Sequence, residues 1–129
     1  MAEKIILADT SILIDFFRKT DKTNSRLIAL VRQGYAFSIS AITEYEIYSG
    51  APVSQQDYWQ DFLRRIPVLP FDKDVVKVAV DINSALKRKR KQIDIADFFI
   101  AATAVSNNLP FATLNLKHFE RIDTLQIVT

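Results

Sequence analysis

The chain of 129 residues has no cysteine and a single histidine, His118. Without cysteine there is no disulfide framework, no thiolate nucleophile and no sulfur-ligated zinc or iron–sulfur site. One histidine excludes a histidine pair within the chain for general acid–base work, and every multi-histidine metal site. Metal chemistry here falls to the oxygens of Asp and Glu, which favour hard cations such as Mg²⁺ or Mn²⁺. Only 2 glycines and 4 prolines argue against a linker protein or a turn-dense β-sandwich and point to long regular elements. No apolar run approaches the roughly 18 residues of a membrane span. At the N-terminus, Met1-Ala2-Glu3-Lys4 is followed by Ile5-Ile6-Leu7-Ala8, too short an apolar stretch for a signal peptide and better read as an opening strand. The expectation is a cytoplasmic protein with no membrane partner.

What remains is the composition of a globular chain, 49% hydrophobic and 25% charged, long enough for one domain over residues 1–129. The net charge is +2, but Lys87-Arg88-Lys89-Arg90-Lys91 holds five positive charges in one run, and without it the chain stands at −3. The basic character is local.

Apolar patterning alternates between strand and helix. Ile5 to Ala8 and Tyr35 to Ser40 read as strands, and Pro67 to Phe71, Leu109 to Thr113 and Leu125 to Val128 complete a set of five. Between them lie helical patterns: Ile12 to Phe17 behind the cap types Asp9-Thr10-Ser11, then Leu27 to Val31 ending at Gly34. Others run from Ser40 to about Gly50, around Tyr58 to Leu63, from Asp72 to Leu86 and from Asp94 to Ser106, with a helical turn near Lys117 to Glu120. Strands separated by such helices form right-handed βαβ units and a mostly parallel sheet covered on both faces. In folds of this kind, sites form beyond the carboxyl ends of the strands.

Three acidic residues fall there. Asp9 directly follows the first strand, where it serves equally as a helix cap or a site residue. Asp97 shares its helical stripe with Ile93, Ile100, Ala101 and Ala104, so it points inward, where a carboxylate is costly unless paired, hydrogen-bonded or metal-bound. Asp94 competes with it as the cap of the same helix. Glu46 follows Ser40 on the next helix, with Glu44 as a rival that periodicity alone does not dismiss. Carboxylates crowded at one sheet edge repel one another unless protonated or neutralised by a cation. A hard cation held there, with water positions open, suits phosphoryl chemistry. The basic run directly precedes the Asp97 helix; as well as a solvated face it offers a strip for phosphate backbones.

These segments resemble the PIN-domain nucleases. ILADTSILIDFF is similar to the family's opening strand and Asp-Thr/Ser turn. SAITEYEIYSGA is similar to its second motif, whose register selects Glu46, with Thr43 and Gly50 as markers, over Glu44. IDIADFFIAATAVSNNLPFATLNLKHFERI is similar to the third and fourth motifs and contains Asp97. The nearest subgroup is the toxins of VapBC-type toxin–antitoxin modules. The resemblance implies a three-layer α/β/α fold with a five-stranded sheet in the order 3-2-1-4-5. It implies an Mg²⁺- or Mn²⁺-dependent endoribonuclease in which a metal-activated water attacks an RNA phosphodiester and leaves 3′-hydroxyl and 5′-phosphate ends. Asp9, Glu46 and Asp97 are then the metal carboxylates, supported by Thr10, Ser11 and Thr113. Asn115 stands where many family members carry a fourth acid. A homodimer and a cognate antitoxin are the implied protein partners; by their charge alone, Lys87, Arg88, Lys89, Arg90 and Lys91 are the candidate contacts to RNA.

Two alternatives share the same layering. One is a catalytically weak PIN fold that acts as a binding module. The other is a receiver-like Mg²⁺-binding domain, which needs an Asp at the end of the third strand, where this chain has Val68-Leu69-Pro70-Phe71. Phe16, Phe17, Tyr48, Tyr58, Trp59 and Phe62, all in the first half, are expected in the core, with an antitoxin groove or dimer face as the other reading.

Overall fold

The computed structural model describes residues 4–128, so Met1, Ala2 and Glu3 of the expected opening segment lie outside it. Strand β1 (Lys4–Ala8) leads through α1 (Thr10–Arg18) and α2 (Arg26–Arg32) to β2 (Tyr35–Ser40). Helices α3 (Ala41–Gly50) and α4 (Gln56–Leu63) then lead to β3 (Val68–Leu69). The long α5 (Lys73–Lys89), α6 (Ile95–Ser106), β4 (Phe111–Ala112) and the short α7 (Leu116–Phe119) follow. The helix starts expected from cap residues are largely present. Ser25, Ser40 and Asp72 each accept from a backbone N–H in the first turn of α2, α3 and α5. Gly34 follows the end of α2 with φ 97°, a conformation that glycine adopts without steric cost.

All strand pairs are parallel and the order is β3-β2-β1-β4. This order differs from the 2-1-3-4-5 of receiver-like sheets. The sheet has four strands where five were expected. The fifth reduces to one parallel bridge between Phe111 and Ile127, with Phe111 N–H donating to Gln126 O at 2.8 Å and Val128 N–H to Phe111 O at 2.8 Å. Its position beyond β4 is the one that the order 3-2-1-4-5 requires. The short β3 and β4 have a backbone cause. Pro67 and Pro70 flank β3, and Pro110 precedes β4; each accepts or passes the chain on but has no N–H to extend a ladder.

Alternation along β1 sets the two cores. Leu7 faces one side and packs with Val75, Ile82 and Leu86 of α5, Ile100 and Ala104 of α6, and Phe111 and Phe119. Ile6 and Ala8 face the other and pack with Ile12 and Leu13 of α1, Leu27 and Leu30 of α2, and Trp59 and Leu63 of α4. Of the six aromatics singled out above, all but Tyr58 belong to this second core. Phe17 and Trp59 rings lie 5.1 Å apart and Phe16 and Phe62 5.3 Å apart, and Trp59 is almost fully buried. Tyr58 is the most open of the named aromatics of α4, and burial raises the pKa of its hydroxyl even so. No helix among the described residues is long and apolar enough to cross a membrane.

Candidate active site

The parallel sheet brings the ends of β1 and β4 and the starts of α1, α3 and α6 to one edge. A cleft of about 600 Å³ opens there, lined by Asp9, Thr10, Ser11, Glu46, Asp97 and Asn115 together with Ile14, Asp15, Arg18, Lys19 and Leu114. Four sequence-expected oxygen ligands, separated by up to 106 positions, therefore share one cavity. Glu44 and Asp94 do not line it.

Asp9 is 3% exposed. Its backbone takes the capping position of α1, but its side chain makes no capping bond. Instead Asp9 Oδ2 accepts from Ser11 Oγ at 2.7 Å and from Thr113 Oγ1 at 2.8 Å. Those hydroxyls are fixed in turn, because Leu114 N–H donates to Ser11 Oγ at 3.0 Å and Asn115 N–H to Thr113 Oγ1 at 2.9 Å. Such bonds meet the cost of burying a carboxylate and fix its rotamer. No buried side-chain oxygen or nitrogen among the described residues lacks a partner. The other carboxylate oxygen of Asp9 has no protein donor among these bonds and so opens to the cleft.

Glu46 is held from α1. Thr10 Oγ1 lies 2.7 Å from Glu46 Oε1 and 2.9 Å from Thr43 Oγ1. The hydroxyl has one proton, and the carboxylate is the stronger acceptor, so Thr10 donates to Glu46. Thr43 is buried, with its N–H on Ser40 Oγ at 3.0 Å, so the cap of α3 also sets the shelf on which Thr10 rests.

Asp97 faces inward as its stripe requires, above fully buried Ile100, Ala101 and Ala104. Burial raises its pKa, and the Asp9 charge raises it further; a hydrogen bond and positive charge from His118 act in the opposite sense. His118 Nδ1 lies 3.4 Å from Asp97 Oδ2. Asn115 occupies the capping position of α7 without a side-chain capping bond, which leaves its amide to the cleft.

Sequence reasoning missed four contributors. Asp15 is a fourth carboxylate in the cleft, but its bonds are structural: Arg26 N–H donates to Asp15 Oδ2 at 2.9 Å, and Lys19 Nζ lies 3.7 Å from Oδ1. Arg18 makes no ion pair among the described residues and projects from the last turn of α1. Lys22 Nζ fixes that turn by donating to the carbonyls of Phe16 and Phe17 at 2.9 and 3.0 Å. The spacing Ser11, Asp15, Arg18 is one helical stripe, and extending the Asp9 argument along it would have found these residues. His118 carried no such signal, since only the fold brings α7 against α6.

The five residues of the basic run do not line this cleft. They form the last turn of α5 and the turn beyond it, all exposed, and Lys89 Nζ pairs with Asp123.

The donor set is three carboxylates and an amide oxygen, the chemistry of a hard-cation site. The upward push of Asp9 on Asp97 is the like-charge repulsion that such a cation relieves. No three His, Cys, Asp or Glu side chains among the described residues already converge to a ligating cage.

The chain matches the model of the PIN domain over residues 6–125 and belongs to that family. Within the family it is similar to the VapC ribonucleases. It is 35% identical to Ribonuclease VapC1 of Methanocaldococcus jannaschii over 121 residues, 93% of this chain and 82% of that one. It is 28% identical to Ribonuclease VapC10 of Mycobacterium tuberculosis over 123 residues, 95% and 91% of the two chains. The fold superposes on a chain of the DNA-bound VapBC structure from Salmonella typhimurium with TM-score 0.84, 27% identity and 98% of each chain covered.

Proposed function

We propose that this chain is a divalent-metal-dependent endoribonuclease, the toxin of a cytoplasmic toxin–antitoxin pair, with Asp9, Glu46, Asp97 and Asn115 as the metal-binding set. The observation that carries the reading is the single cleft shared by these four residues. Likeness to proteins named ribonucleases supplies the substrate class. Mg²⁺ or Mn²⁺, held by these residues, would supply charge neutralisation at the phosphoryl centre and would acidify water so that hydroxide is available as the nucleophile.

The chain's own residues do the rest. Ser11 and Thr113 hold Asp9 in one rotamer, and Thr10 does the same for Glu46. Asp97 must be ionised to serve as a ligand, which burial and the Asp9 charge oppose in the metal-free cleft and a bound cation would favour. Arg18, at the rim, offers a charge to the substrate phosphate that no carboxylate neutralises among the described residues. Asn115 contributes an oxygen without adding negative charge. With one histidine in the chain, a histidine pair within the chain is excluded; the expected products carry 5′-phosphates, as the resemblance implies.

The partners of this reading are RNA, a cognate antitoxin and a second copy of the chain. Support for the antitoxin comes from the VapBC complexes among the structural relatives. An apolar groove walled by Tyr58 and Phe62 is of the kind that accepts an amphipathic helix. The test is cleavage of RNA by purified, antitoxin-free protein in Mg²⁺, Mn²⁺ or EDTA, with Asp97→Asn as control. Metal-dependent cutting that leaves 5′-phosphates and is lost in the variant is expected; equal cutting by the variant would overturn the site assignment.

A further inference from the structure

A second polar cleft borders α7. It has a volume of about 560 Å³ and is lined by Lys91, Lys117, Glu120 and Arg121. Three cations against one carboxylate leave it positive. Its walls come from two places in the chain: Lys91 is the last residue of the basic run, and Lys117 and Arg121 belong to α7 and the turn after it.

The backbone explains how they meet. Helix α5 ends with Arg90 in the left-handed conformation, φ 54°, while Lys91 N–H donates back to Leu86 O at 3.0 Å. This closing turn stops the helix inside the basic run and sends the chain toward α7. Arg121 Nη1 then donates to Gln92 O at 3.1 Å and ties the two segments together. One bond occupies one of the five donors of the guanidinium; the others stay available. Lys89 is paired with Asp123 and contributes little free charge.

The same short helix borders both clefts. Asn115, at its start, lines the carboxylate cleft, and His118 lies against Asp97. Lys117 and Arg121 line the basic one. Only six positions separate Asn115 from Arg121, and α7 fills four of the residues between them. A nucleic-acid strand whose reacting phosphate sits among the carboxylates therefore finds, on the same short segment of chain, cations for its neighbouring phosphates.

We propose that the Lys91–Lys117–Arg121 cleft is a phosphate-backbone subsite that holds the RNA flanking the cut. This rests on the ribonuclease reading, and it moves the RNA contact from the run as a whole to its last residue and two cations of α7. It contacts phosphates, so it adds affinity for any strand and does not read sequence.

The test separates binding from cutting. Affinity for a fluorescent single-stranded RNA of about twenty nucleotides is measured in EDTA at several salt concentrations. The proteins are wild type, Lys91→Ala/Lys117→Ala, and Lys73→Ala/Lys77→Ala as a control that removes the same charge from exposed sites at the start of α5. The expected result is weaker binding by the first variant, with the slope of log affinity against log salt shallower by about 1.4, near 0.7 for each lost phosphate contact on a single strand. The control should keep the wild-type slope. Unchanged binding by Lys91→Ala/Lys117→Ala, equal loss in both variants, or no RNA binding by wild type would each overturn the subsite. Failure of the ribonuclease reading would show separately, as absence of metal-dependent cutting by the wild type.

Discussion

At the carboxyl ends of the strands, hydroxyls and carboxylates crowd a cleft in which Asp9 is buried and Asp97 is pushed toward its protonated form. At the amino ends of the same strands, Ile5, Tyr35, Phe37 and Ile66 join Val31, Tyr58 and Phe62 around an apolar groove of about 760 Å³. Both are concave and of similar size, yet their energetics are opposite. Closing the apolar groove against a partner gains about 25 cal/mol per Å² removed from water. Closing the carboxylate cleft without a cation only increases repulsion. One end of the sheet is thus suited to holding a protein, and the other to holding charge.

Replacing Asp97 by Asn breaks that contrast most strongly. Cleavage should fall by more than the roughly 10- to 100-fold typical of losing a ligand's hydrogen-bond partner. Stability should move the other way. A carboxylate whose folded pKa lies above its unfolded value binds protons more tightly when folded, so it costs stability once pH exceeds the folded pKa. Metal-free Asp97→Asn should therefore melt at a higher temperature than wild type at neutral pH. The gain should shrink as pH falls through the raised pKa and vanish below the ordinary Asp value. Thermal scans across pH read this directly, and a lower melting temperature at pH 7 would contradict the assigned repulsion.

On the apolar side, Leu30→Ala empties a fully buried position and should cost about 2–5 kcal/mol in urea unfolding. Its cleavage rate per folded molecule should not change. Thr113→Val tests the reverse dependence. It removes a hydroxyl held between Asp9 and the Asn115 N–H and should lower cleavage by about 10- to 100-fold, with a stability loss near 1–3 kcal/mol. A rate within twofold of wild type would mean that Asp9 does not depend on this bond. The smallest effect belongs to His118→Ala. His118 lowers the Asp97 pKa by hydrogen bond and charge, so its loss should raise the Asp97 pKa of the metal-free protein further, as read by NMR titration of its carboxyl carbon, while the cleavage rate at high pH stays within about tenfold of wild type.

The contrast between the two ends also marks what was legible in the sequence. Element types followed from periodicity because each helix and strand buries one face, and β1 shows it most clearly, with Leu7 on one core and Ile6 and Ala8 on the other. The inward position of Asp97 was legible for the same reason. Strand lengths were not, since the ends of β3 and β4 are set by prolines that lack an N–H and by pairing across the sheet. Periodicity left Glu46 and Glu44 unresolved; the motif register selected Glu46, and in the structure it is Glu46 that lines the cleft. His118, Arg18 and the second basic cleft depend on contacts between segments far apart in the chain, such as the 21 positions from Asp97 to His118. No local pattern records these.

The bond from Thr113 to Asp9 spans 104 positions. Chains emerge from the ribosome amino end first, at about 5–20 residues per second. A nascent chain that has not yet delivered Thr113 and Asn115 holds Asp9 without its second hydroxyl and lacks the fourth wall of the cleft. Such a chain carries the residues of β1 and β2 but not the complete cleft. On the reading proposed above, activity waits until both ends of that span have been made.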